Sequence, residues 1–91
     1  MTSAVSADTE LSAPIATAVL MHIVTSMVDQ PDAVRVEATT GRNRVRLEVT
    51  VGDGDLGRVI GRRGRTAQSI RTVVRAAAVR DGVEVDVDFA D

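Results

Sequence analysis

The residues Gly61-Arg62-Arg63-Gly64 offer the clearest chemistry in this chain, a short cationic loop suited to holding phosphate. Glycines at both ends let a backbone turn tightly and approach a ligand with no Cβ in the way. Arg62 and Arg63 are expected to point out of the tip, where each guanidinium can grip a phosphate through two parallel hydrogen bonds. Arg58 and Arg65 flank the loop, and the apolar pair Val59-Ile60 is placed to floor a groove for unstacked bases. A helix starting just after the loop would add free N–H groups and the positive end of its dipole.

A second glycine motif, Gly52-Asp-Gly-Asp-Leu-Gly57, matches G-x-G-x-x-G after a strand, the setting of a dinucleotide-binding fingerprint. Its own residues argue against a nucleotide cofactor. Asp53 and Asp55 put negative charge where a pyrophosphate would lie, and the following helix is broken after one turn. A chain of 91 residues with one parallel crossover is also too short for the doubly wound sheet that forms the crevice. No catalytic constellation emerges elsewhere. There is no cysteine, which removes disulfides, thiolate chemistry and Cys-based metal sites, and His22, the only histidine, has no Cys or second His to share a metal. Asp86 and Asp88 share one side of a strand without the cleft that paired carboxylates need, and no serine or threonine has a base placed to activate it. The expectation is a protein that binds, with no enzyme activity, cofactor or metal.

Charge locates the binding surface. The net charge of −2 conceals a division, because residues 56–80 hold seven arginines and no acid. The other sixty-six residues carry four arginines against thirteen acids, a balance of −9. Screening confines a field to about 8 Å at physiological salt, so the local +7 decides where a polyanion approaches. Phe89 is the only aromatic residue, which removes the stacking platforms that many single-strand binders use.

The elements that must position these residues follow from periodicity. Residues 1–11 read as a polar tail, and 12–91 as a single domain. From Pro14, Ile15, Val19, Ile23 and Met27 recur every four residues, predicting an amphipathic helix that Asp29-Gln30-Pro31-Asp32 ends. Val34, Val36 and Ala38 alternate, then Val45, Leu47, Val49 and Val51, giving two antiparallel strands about a turn at 39–43. Asp55 is a candidate N-cap for a very short helix, 56–60. After the loop, Ala67, Ile70, Val73, Val74, Ala77 and Ala78 fall within an arc of about 140° on a helix reaching Arg80. Gly82 ends it, and Val83, Val85, Val87 and Phe89 alternate as a last strand. The fold class is α+β, in the order α-β-β-α-α-β. Its three-stranded mixed sheet has one face covered by helices and a right-handed crossover to a parallel last strand. Arg44, Arg46 and Glu48 beside Glu84, Asp86 and Asp88 would pair across strands on the open face.

The run from Leu56 to Ala78, LGRVIGRRGRTAQSIRTVVRAAA, resembles the core of the small bacterial single-KH-domain proteins of the KhpA family. Met27-Val-Asp-Gln-Pro-Asp32 resembles that family's junction between first helix and first strand, so the likeness covers roughly residues 15–89. The resemblance implies a type II KH domain that binds single-stranded RNA with little sequence preference and acts as an RNA chaperone. KH domains clamp about four nucleotides with a GxxG loop. It also implies partnership with a second KH protein of the KhpB (Jag-like) type or a homodimer, and a link to cell-wall growth and cell shape. By position, Gly61 to Gly64 match the family's clamp, and Val59 and Ile60 its groove. Two departures are the acidic loop 52–55 and Arg62, where Lys is frequent; neither removes the clamp.

A competing reading is a protein-interaction module docking an acidic partner through the helix face around Arg71 and Arg75, with RNA incidental. The N-terminal residues carry Asp8 and Glu10 and no basic residue, the wrong charge for an export signal. The apolar stretch 13–28 is short and interrupted by Thr17, His22, Thr25 and Ser26, so no membrane association and a cytoplasmic location are expected.

Overall fold

The structure, a computed structural model, describes residues 11–90. The tail expected over 1–11 therefore lies, apart from Leu11, outside the described residues. Leu11 packs against the core, and its carbonyl accepts a hydrogen bond from Thr40 Oγ1 at 3.2 Å.

Helix α1 spans Pro14–Thr25, with proline in the first turn where its missing N–H costs nothing. No side chain of its own caps it. Instead Asp81, 66 residues after Ile15, accepts from the N–H groups of Ile15 (3.0 Å) and Ala16 (2.9 Å). The fully buried stripe is Ala16, Leu20 and Val24, and Val19, Ile23 and Met27 of the expected series pack half-buried against the core beside it. Ile15 is exposed, and the small Ala16 takes the inward position in the first turn. The helix also stops at Thr25, short of the expected Asp29-Gln30 end. The Thr25 and Ser26 hydroxyls bond the carbonyls of Met21 and Ile23 at 2.7 Å, satisfying last-turn acceptors that would otherwise continue the ladder.

A 3₁₀ turn at Pro31–Ala33 leads to β1 (Arg35–Thr40), which pairs antiparallel with β2 (Arg44–Thr50). After α2 (Leu56–Ile60), a second 3₁₀ turn and α3 (Arg65–Asp81), strand β3 (Glu84–Ala90) returns parallel to β2. The sheet order is β1-β2-β3. Val45, Leu47 and Val49 of β2 and Val85 and Val87 of β3 face Leu20, Val24, Ile70 and Val74 in one core. Strand β1 contributes less, since Val36 is half-buried and Ala38 exposed. Val73, expected inside, is 48% exposed; the helix turns the narrower set Ala67, Ile70, Val74 and Ala78 inward. Gly82, at φ 75°, ends α3 in the left-handed geometry common at helix C-termini.

Candidate nucleic-acid interface

The loop is built from both of its flanks. Upstream, Asp55 sits at the N-cap position of α2, but its carboxylate does not cap that helix. It turns to the connection after α1, accepting from the N–H groups of Asp29 (3.1 Å) and Gln30 (3.0 Å). Asp55 is only 1% exposed, and these donors satisfy it better than the solvent-facing turn of a five-residue helix. Gln30 in turn donates from Nε2 to the Asp53 carbonyl at 2.8 Å and lies against Gly52. The Gly52–Gly57 segment is thus held by the protein's own side chains.

At the loop itself, Gly61 adopts φ 74°, ψ 178°, a region essentially reserved for glycine. Space is closed as well, because a Cβ there would overlap Thr66 Oγ1 and come within 2.7 Å of Thr66 Cβ. Arg63, at φ 56° and ψ 26°, is the only non-glycine residue with positive φ among the described residues. Gly64 follows at φ 71°, and together they reverse the chain into α3. No side chain caps α3, a 17-residue helix; the Arg65 N–H donates to the Arg62 carbonyl, and the N–H groups that follow lie beside the loop arginines without a side-chain cap.

The four arginines expected at this site divide. Arg62, Arg63 and Arg65 are exposed and have no ion-pair partner among the described residues. Arg58 is engaged, with Nη2 2.8 Å from Asp29 Oδ2 and Nε 3.3 Å from Asp55 Oδ1. It ties α2 to the end of α1 rather than presenting a free cation. The apolar pair divides too. Val59, expected to floor a groove, is fully buried in the core, whereas Ile60 is half-buried at the surface.

One contact escaped the sequence reading. Arg71 Nε donates to the Val87 carbonyl at 3.0 Å, and its guanidinium carbon lies 5.4 Å from the centre of the Phe89 ring. Of the two helix arginines considered for docking an acidic partner, Arg71 is therefore held against β3, while Arg75 is exposed. The signal in sequence was weak: an arginine on a helix, and one aromatic residue eighteen positions later.

On the open face the expected cross-strand pairing is present, mostly along diagonals. Arg44 bonds Glu84 (2.7 Å) and Asp86 (2.8 Å), and Arg46 pairs with Asp88. The hydrogen bond to Asp86, then the charges of Asp86 and Glu84, raise the Arg44 pKa above its ordinary value. Glu48 faces Glu37 on one side and Asp88 on the other. Among the described residues no group of three His, Asp or Glu side chains is close enough to hold a metal, and His22 is exposed on α1.

A mixed three-stranded sheet covered by helices in the order α-β-β-α-α-β, with a GxxG loop joining the last two helices, defines a type II KH domain. Comparison with known proteins narrows the class. Residues 17–89 match the family described as KhpA/KhpB, KH domain. A Leifsonia xyli protein named RNA-binding protein KhpA is 53% identical over 72 residues, covering 79% of this chain and 92% of the relative. Bacillus subtilis and Chlamydia trachomatis proteins of the same name are 42% and 39% identical over 72 residues, covering 89% and 92% of their lengths and 79% of this chain. The chain belongs to the KhpA/KhpB KH-domain family, which is not a family of enzymes.

Proposed function

We propose that this protein binds single-stranded RNA, with Gly61–Gly64 as the phosphate clamp. The observation that carries this reading is the loop's unspent charge. Arg62, Arg63 and Arg65 have no protein partner among the described residues and surround the uncapped start of α3. Backbone N–H groups, a helix dipole and three guanidinium groups then converge on one small surface. Ile60 borders it as the accessible part of the groove, and Arg58 acts by fixing α2. Contacts of this kind hold the backbone and carry little sequence information, which suits a chaperone acting on many RNAs. The shared KhpA/KhpB family supports a KhpB-type KH protein as partner, with a second copy of this chain as the other candidate. Action in the cytoplasm, in support of cell-wall growth and cell shape, completes the proposal. No helix among the described residues is long and apolar enough to cross a membrane.

The test is a fluorescence-anisotropy titration of a short single-stranded RNA at two salt concentrations. It compares wild type with Arg62→Asp/Arg63→Asp. Wild-type affinity should fall as salt rises, through counterion release. The double variant should lose roughly 100-fold or more, as two charge-assisted contacts of about 1.5–3 kcal/mol each disappear. Its melting temperature should stay near wild type, since both side chains are exposed. Undiminished binding by the variant would sink the clamp.

A further inference from the structure

We propose that the first ten residues of the chain dock on their own domain, in an apolar groove between the last turns of α3 and the start of β3. This contact needs no RNA and lies at the end of α3 away from the loop. Arg75, Val79, Val83 and Val85 line the groove, which continues past Val79 and Val83 to Leu11. Val79 is 75% exposed, the most open large apolar side chain among the described residues. Arg75 stands exposed one turn before it, with no ion-pair partner among the described residues. The acids on the rim, Glu84 and Asp86, are both taken up by Arg44, so the groove's uncompensated charge is that of Arg75.

A strand edge runs along the same groove. Strand β3 is an outer strand, and its Ala90 carbonyl accepts from the Val51 N–H on the β2 side. Alternation along the strand then turns the backbone groups of Val85 and Val87 outward. Arg71 takes the Val87 carbonyl, whereas no side chain among the described residues covers Val85. The site therefore fits an extended segment with its main chain at Val85, small apolar side chains on Val79 and Val83, and a carboxylate at Arg75. The first ten residues have that composition. Ala4, Val5 and Ala7 are small and apolar, and Asp8 and Glu10 are the only charged side chains. They lie outside the described residues and join the domain at Leu11, which lines the lower end of the groove. From Leu11 back to Asp8 an extended chain covers about 10 Å. From Val79 to Arg75 is one helical turn, about 6 Å of rise. Asp8 thus reaches Arg75 as the chain passes Val79. A tethered segment also acts at an effective concentration on the order of mM, an advantage that no free acidic peptide shares in dilute solution.

The chain has no cysteine, so Ser6→Cys provides a single site for a nitroxide spin label in the full-length protein. Amide NMR signals are compared with the label oxidised and reduced, in this protein and with Arg75→Glu or Val79→Asp added. Both of those side chains are exposed, and the melting temperatures should stay near that of the parent. Docking should broaden the signals of Val79, Val83 and Val85 most, and spare Arg62 and Arg63, about 25 Å away along α3. Arg75→Glu should weaken docking about twofold to fivefold, the effect of one exposed ion pair, and adding Asp8→Arg should restore it. Val79→Asp should remove the broadening altogether. Broadening confined to residues next to Leu11, or centred on the β1 edge at Val36 and Ala38, would overturn the proposal. Groove broadening that neither substitution relieves would be proximity without docking and would overturn it as well. A final arm mixes spin-labelled chains with isotope-enriched chains that carry no label. Broadening of the enriched chains' groove would assign it to a second copy and sink the intramolecular contact.

Discussion

The open face of the sheet and the loop between α2 and α3 are both rich in arginine, yet only one of them is poised for an outside anion. On the sheet, Arg44 and Arg46 are each matched to carboxylates of β3. At the loop, Arg62, Arg63 and Arg65 stand beside the uncapped first turn of α3 with no acid paired to them among the described residues. A guanidinium already sharing its donors with carboxylate must break those bonds before it can hold phosphate, whereas an unpaired one only sheds water. Arginine content alone does not mark a binding surface. What marks it is cationic charge that the fold leaves unanswered, and Arg58, drawn to Asp29 and Asp55, shows how close the two conditions lie.

That contrast can be broken from either side. Reversing charge at Arg62 and Arg63 should have the largest effect, the loss of RNA binding described above. Next is Asp55→Ala, which strands two N–H groups at a buried site and removes the longer of Arg58's two carboxylate contacts. A destabilisation of about 3 kcal/mol is expected, read by urea unfolding. Gly61→Ala should cost about 2 kcal/mol through its backbone region and the overlap with Thr66. It should also weaken RNA binding more than its stability loss accounts for, because the loop must move. The smallest effect belongs to the other region. Arg46→Ala, at an exposed pair, should change stability by less than about 0.5 kcal/mol and leave RNA affinity within error in the same titration. A large loss of RNA affinity there would erase the distinction between the two faces.

Element order and the loop were legible because each rests on local rules. Alternation gave β2 and β3, glycine spacing gave the turn at 61–64, and Gly82 gave the end of α3. Helix phase was harder: in α1 apolar residues surround the axis, so Ile15 and Ala16 competed as the inward position until α3 selected the smaller. The arginines of the site were named from sequence, but which of them were already occupied was not readable. Arg58 finds Asp29 across twenty-nine positions, and Arg71 finds a backbone carbonyl, a partner with no residue-type signature. Val59 looked identical to Ile60 in sequence, and only packing sends one into the core and leaves the other at the surface. Long-range pairing, not composition, separates a residue that holds the fold from one that meets a ligand.

The cap of α1 has a consequence for the chain's own birth. Helix α1 depends for its terminal hydrogen bonds on Asp81, made 66 positions after Ile15. At about 5–20 residues per second, the intervening stretch takes several seconds to make. During that interval α1 has neither its cap nor the α3 surface that buries Leu20 and Val24, and a lone twelve-residue helix is marginal in water. Maturation is therefore nearly all-or-none and late. Until residue 81 is made and clear of the ribosome, the N-terminal segment stays unfixed.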